Sequence, residues 1–171
     1  MLAVKRFSRR LADAIELIAS ALLAALVLVV FTGVVDRYLL KTGMTWPEEA
    51  SRYLLLWTSF LAAALSAYRA SHYTAGFFAD QVLGGSRVRR WLAAATLFAS
   101  AGLFALLVPK AITLVNVGSR EASPSIGLPM SLVFGSLLVG IVGMTIFFLA
   151  AGLEIAAGDR EADGVLKEEV R

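Results

Sequence analysis

Two adjacent carboxylates, Glu48 and Glu49, are the residues whose types and spacing most suggest a catalytic or binding role. Such a pair can act as general acid and general base when a nucleophile, a histidine or a metal ion lies close by. The sequence of 171 residues contains no cysteine and a single histidine, His72, which leaves little for a thiolate nucleophile, a metal site or a triad. We therefore expect neither an enzyme nor a bound cofactor, and the role of the carboxylates depends on the elements that position them.

The residues around the pair predict the start of a helix. Thr45 followed by Glu48 fits a capping box, and Pro47 suits the first turn because its missing N–H has no partner there. Both carboxylates then lie where the helix dipole favours negative charge, and Glu48 can reach Arg52 one turn later.

One face of this predicted helix carries Glu49 together with three aromatic residues, Trp46, Tyr53 and Trp57. The sequence leaves two interpretations of this face open. It is either a capped helix end with an aromatic belt at a membrane interface, or a docking surface on which charge fixes the register of another protein.

The composition indicates a membrane protein. Hydrophobic residues make up 58% of the chain, charged residues 17%, and the mean hydropathy is +0.76. Soluble domains have about 45–50% apolar residues and about 25% charged residues, so the composition excludes a soluble domain. Four stretches contain no charged residue and no histidine, and three of them are long enough to span a bilayer. The four stretches are 17–35, 53–68, 91–109 and 128–150.

We therefore predict an all-α integral membrane protein with four transmembrane helices. The short second stretch can also span, because Arg52 and Arg69 at its ends can extend to the two interfaces. The predicted organisation is a basic amphipathic segment (1–16), a four-span membrane domain (17–153) and a charged cytoplasmic tail (154–171).

The distribution of lysine and arginine predicts the topology. The segments on one side of the membrane carry more than twice as many of these residues as those on the other, which places both termini in the cytoplasm. The net charge of +3 then reflects topology, and we expect no nucleic-acid partner. Segment 1–16 can form an interfacial amphipathic helix on membrane lipids, and 72–83 can form a second one or a loop packed on headgroups.

The predicted spans lack the groups that move ions. Transporters and pumps usually keep ionisable residues within the bilayer, yet the four stretches contain none. They do contain small residues at a spacing that lets helices pack closely, either within the chain or against a membrane partner. These residues are Ala21 and Ala25 in the first stretch, Ser59, Ala63 and Ala67 in the second, and Ser136, Gly140 and Gly143 in the fourth.

Two motifs in this sequence resemble a known family. The first is Trp-Pro-Glu-Glu at 46–49 with the residues that follow it, and the second is Ser-Ile-Gly-Leu-Pro-Met at 125–130. With the length and the four-span plan, they resemble the small membrane (Q) subunit of tripartite ATP-independent periplasmic (TRAP) transporters over nearly the whole chain. The candidate partner-interface residues are Trp46, Glu48, Glu49, Arg52, Tyr53, Trp57, Arg69, His72 and Pro129.

The resemblance implies an accessory scaffold subunit of a sodium-coupled uptake system for organic acids in the bacterial inner membrane. Its implied partners are a large permease subunit, which carries the substrate and sodium sites, and a periplasmic solute-binding protein. The alternative is a self-contained, homo-oligomeric small exporter, but that function needs an embedded carboxylate, and Glu16 lies only at the edge of the first stretch. An integral membrane enzyme is a third hypothesis, disfavoured by the scarcity of clustered polar groups.

Overall fold

The computed structural model describes the backbone of residues 2–82 and 86–156, and the side chains of residues 6–69 and 91–156. Within these residues the chain forms four α-helices, and a π-helical turn (Asp36–Leu40) prolongs the first of them. The predicted all-α fold with four helices is therefore confirmed. The helices are α1 (Leu2–Val35), α2 (Trp46–Val82), α3 (Ser86–Gly118) and α4 (Met130–Ala156).

Three helical segments are long and apolar enough to cross a membrane, and they correspond to the first, third and fourth predicted spans. They are Arg6–Leu40, Trp91–Gly118 and Met130–Ala156. The described part of α2 is not among them, because its apolar stretch is short and is bracketed by Arg52 and Arg69. The second span, and the side of the membrane on which each loop lies, remain predictions.

The two segments predicted as interfacial helices are parts of longer helices. Segment 1–16 is continuous with α1, which is about 50 Å long from end to end. Segment 72–83 continues α2 as far as Val82. Neither segment contains a proline, so none interrupts the helical hydrogen bonds between the segment and the neighbouring apolar stretch.

Helix α3 is also longer than the apolar stretch that predicted it. The sequence placed the end of the third span at Pro109, but the helix runs through this proline to Gly118. Membrane helices tolerate internal proline, because helix contacts and local adjustments satisfy the freed carbonyl group. The connection between α3 and α4 is therefore residues 119–129. At the other end of the chain, Glu154, the first residue of the predicted tail, lies within α4 and is buried.

The helices form an open row in the order α1, α2, α4, α3. Helix α4 packs along both α2 and α3, and α1 packs along α2 with a minor contact to α4. Within the described residues α1 and α3 do not meet, although that contact would be needed to close a four-helix bundle. The four helices therefore form a row and not a closed bundle, and the row leaves two broad helix faces uncovered.

Small residues bring α2 and α4 together. A Cβ atom on Gly140 would lie 2.8 Å from Cβ of Phe60 and 3.0 Å from its carbonyl oxygen, and one on Gly143 would lie 3.1 Å from Cβ of Ala64. Ser136, Gly140 and Gly143 are buried. The small residues predicted on α4 therefore serve packing within this chain. Of the small residues predicted on α2, Ala67 is buried and Ser59 is exposed. On α1, Ala21 is exposed.

We expect Gly140→Ala to lower the free energy of unfolding by roughly 1–3 kcal/mol, the usual cost of overpacking. The matched control is Gly102→Ala in α3, where an added Cβ has nothing within 4 Å. Both substitutions gain the same helix propensity, about 1 kcal/mol, so their difference isolates the contact with Phe60. Unfolding in detergent, followed by tryptophan fluorescence, measures both. Equal stabilities of the two variants would contradict the close approach of α2 and α4.

Candidate functional site

The loop between α3 and α4 is fixed by its own backbone. The Ser123 N–H donates to the carbonyl of Leu128 (2.9 Å), and the Gly127 N–H donates to the carbonyl of Ser123 (3.0 Å). Gly127 has a φ of +71°, a left-handed conformation that glycine adopts without strain and that allows the chain to turn tightly here. Pro129 pairs with Ala122 in an isolated bridge and immediately precedes α4. The second sequence motif therefore forms a closed loop that leads into a helix.

Glu49 connects this loop to the first turn of α2. Its carboxylate accepts hydrogen bonds from the Tyr53 hydroxyl (2.6 Å) and from the backbone N–H of Ser125 (2.8 Å). The same hydroxyl lies 3.6 Å from the sulfur of Met130, the first residue of α4. One carboxylate thus joins residues that are 76 positions apart in the chain.

Hydrogen bonding stabilises the charged form of this carboxylate. The bond from Tyr53 lowers the pKa of Glu49 most, partial burial opposes it, and Ser123 and Ser125 lower it further, to about 2. Glu49 therefore remains an acceptor at any physiological pH. A carboxyl group held ionised in this way is suited to holding structure, and not to acting as a general acid.

Trp57 extends the same contact one turn further along α2. Its indole N–H donates to the carbonyl of Leu132 in the first turn of α4 (3.2 Å). Glu49, Tyr53 and Trp57 lie four residues apart, so they share one face, and that face contacts the chain's own loop and α4. We call these three residues and the loop 119–129 the Glu49 cluster.

The neighbouring Glu48 has different surroundings. It accepts a hydrogen bond from Arg52 at 2.7 Å, and the two side chains are 64% and 70% exposed. An exposed pair of this kind adds little stability. Trp46, the first residue of α2, is also exposed, so Trp46, Glu48 and Arg52 remain open to a partner. Among the described residues no group of three acidic or histidine side chains could hold a metal ion.

The remaining candidate residues lie away from the Glu49 cluster. The Arg69 guanidinium donates to Glu16 at 3.1 Å and joins α2 to α1. Arg69 lies at the opposite end of the apolar stretch, about 30 Å along α2 from Glu49. His72 belongs to α2, but its side chain lies outside the residues whose side chains are described. The structure therefore brings Glu49, Tyr53, Trp57 and Pro129 together and separates Arg69 from them.

Sequence reasoning missed Asp36, which organises the connection between α1 and α2. This residue is buried, and its carboxylate accepts hydrogen bonds from the hydroxyl and the N–H of Thr42 and from the N–H of Met44. Lys41 adopts a positive φ immediately before these donors, and Gly43 adopts one between them. A carboxylate at the end of an apolar stretch, followed closely by Thr and Gly, is the signal that could have indicated such a turn.

A comparison with known protein families identifies the chain. Residues 26–158 match the family described as "Tripartite ATP-independent periplasmic transporters, DctQ component". The chain belongs to this family. It is therefore the small permease component of a TRAP transporter, a multi-pass membrane protein and not an enzyme. A tripartite system implies partner components.

A relative from Haemophilus influenzae supports the assignment. It is named as a TRAP transporter small permease protein and is 42% identical over 53 residues, which are 31% of this chain and 33% of the relative. The alignment thus spans about a third of each protein. The family match covers the whole Glu49 cluster and Asp36, whereas the first 25 residues of this small permease subunit lie outside it.

Replacing Glu49 tests the connection between α2 and the loop. We expect Glu49→Gln to lower the melting temperature of the detergent-solubilised subunit by a few degrees, because a neutral amide is a weaker acceptor for Tyr53 and Ser125. Glu48→Gln is the matched control and should change it less, since it removes only an exposed pair. A larger effect of the Glu48 substitution would show that the cluster does not hold the loop.

The lowered pKa of Glu49 predicts a dependence on pH. The carboxyl group has an ordinary pKa of 4.5 and a folded value of about 2, so its stabilisation is complete above pH 4.5 and is lost as the pH falls towards 2. We expect the difference in melting temperature between the wild type and Glu49→Gln to shrink through this window. A difference that stays constant from pH 6 to pH 2 would contradict the assigned hydrogen bonds.

Proposed function

We propose that this small permease subunit is a static scaffold of a sodium-coupled TRAP transporter that takes up organic acids across the bacterial inner membrane. In this proposal it packs beside the large permease subunit, which carries the substrate and sodium sites. A periplasmic solute-binding protein delivers the substrate to the assembly.

The observation that carries the proposal is the uncovered apolar surface at the two ends of the helix row. In α1, Leu17, Leu28 and Phe31 are 72%, 67% and 65% exposed, and in α3 Leu106 is 79% exposed. Lipid can cover such surfaces, but an open row also offers a partner two long apolar edges. A chain with extensive helix surface and no charge within its apolar stretches is suited to supporting a transporting subunit.

The position of α2 supports a fourth transmembrane span. Its apolar stretch (53–68) packs between α1 and α4, both of which are long and apolar enough to cross the bilayer. The two flanking arginines, Arg52 and Arg69, are largely exposed and can reach the interfaces. Four spans place both termini on one side, and the excess of lysine and arginine favours the cytoplasm.

With this topology the Glu49 cluster would face the periplasm. The loop 119–129 is held by its internal hydrogen bonds and by Glu49, so it presents a preformed surface. The exposed side chains of Trp46, Glu48 and Arg52 lie beside it at the start of α2. We propose that this end of the subunit helps to seat the solute-binding protein, with charge fixing the orientation.

Site-specific photocrosslinking tests the scaffold. A photoreactive residue would replace Leu28 on α1 or Leu106 on α3, each in the subunit co-expressed with its large permease. We expect at least one edge to crosslink to the large permease, because an apolar edge of the row packs against it. Phe147, which is 1% exposed inside the row, is the control position that should not crosslink.

Uptake into proteoliposomes provides the second measurement. We expect sodium-dependent uptake to require the small subunit together with the large permease and the binding protein. Unchanged uptake without the small subunit would contradict the proposal, and so would transport by the small subunit alone, which would indicate an exporter.

A further inference from the structure

A groove of about 610 Å³ lies between the end of α1 and the start of α2. One wall is apolar and is formed by Val29, Val30 and Val34 of α1. This wall belongs to the segment Arg6–Leu40, which is apolar and long enough to cross the membrane. The groove therefore runs from the apolar part of this candidate span to its end.

The rim of the groove carries two cations that have no carboxylate partner among the side chains that the structure describes. Arg37 and Lys41 line the open end, and neither forms an ion pair with any residue whose side chain is described. Both residues are exposed. The groove thus combines an apolar wall on a candidate span with two cations at the end of that span.

The two carboxylates that also line the groove are already engaged. Asp36 is 4% exposed and accepts hydrogen bonds from Thr42 and Met44, so its oxygens are directed into the turn. Glu48 is paired with Arg52 at 2.7 Å. With Arg52 counted beside Glu48, three cations stand against two carboxylates around the groove, and the two charged side chains still free to contact a ligand, Arg37 and Lys41, are both positive.

We propose that this groove binds an anionic glycerophospholipid. Its phosphate contacts Arg37 and Lys41, and the upper part of one acyl chain lies along Val29, Val30 and Val34. A guanidinium group donates two parallel hydrogen bonds to phosphate, and the ammonium group of a lysine adds a point charge. Inorganic phosphate would use only the rim, so the apolar wall identifies a lipid as the ligand. This site does not depend on the scaffold function.

Native mass spectrometry of the full-length subunit tests the site. The delipidated protein is titrated in neutral detergent with phosphatidylglycerol, with phosphatidylcholine and with inorganic phosphate. We expect one phosphatidylglycerol to be retained in preference to the other two, because the choline cation opposes the rim and inorganic phosphate leaves the wall uncovered. Removing both cations with Arg37→Gln and Lys41→Gln should weaken retention about tenfold or more, since one charge-assisted hydrogen bond contributes about that factor.

Two further variants separate a specific site from general attraction. Val34→Trp fills the apolar wall and leaves both cations in place, so it should also reduce retention. Arg120→Gln removes an exposed cation that does not line the groove, and it should leave retention unchanged. Circular dichroism confirms that each variant keeps its helices.

Three results would overturn the proposal. The first is equal retention of phosphatidylglycerol and phosphatidylcholine. The second is an equal loss in the Arg120 variant and the double variant. The third is unchanged lipid retention in the double variant together with weaker co-purification of the large permease, which would assign the groove to a protein partner.

Discussion

The contact between α2 and α4 is the constraint on which the rest of the structure depends. Helix α1 packs on α2 and α3 packs on α4, so this one contact joins two helix pairs into a row. Within a membrane, lipid tails compete with apolar side chains, and helices associate through close packing and hydrogen bonds. Gly140 and Gly143 provide the close packing against Phe60 and Ala64, and the rings of Tyr68 and Phe147 lie 5.2 Å apart in the same contact.

The Glu49 cluster secures one end of that contact by a different kind of interaction. There the helices reach polar surroundings, where an ionised carboxylate can be kept and can accept hydrogen bonds from two parts of the chain. The loop 119–129 is held from within by backbone hydrogen bonds and from outside by Glu49. Helix α2, this loop and the start of α4 therefore form one unit, which leaves the outer faces of α1 and α3 for lipid or for another subunit.

Several features followed from single residues with a strong local preference. Gly127 adopts the positive φ that a tight turn before Pro129 requires, and Pro47 lies in the first turn of α2 as its missing N–H suggests. Pro109 shows the opposite case, because its preference to end a helix is overridden within a membrane-type helix. Asp36 was missed because its donors come from a turn whose geometry the sequence only suggests.

The sequence by itself determined the membrane class, the number of helices, the candidate spans other than α2 and the family, because these depend on the length and composition of segments and on local motifs. The tertiary structure alone decided that the helices form an open row, and that Glu49 faces the chain's own loop while Glu48 stays at the surface. The physical reason is that positions facing lipid, a neighbouring helix or a partner subunit are equally apolar in a membrane. The sequence therefore lacks the contrast between polar and apolar faces that reveals packing in a soluble protein.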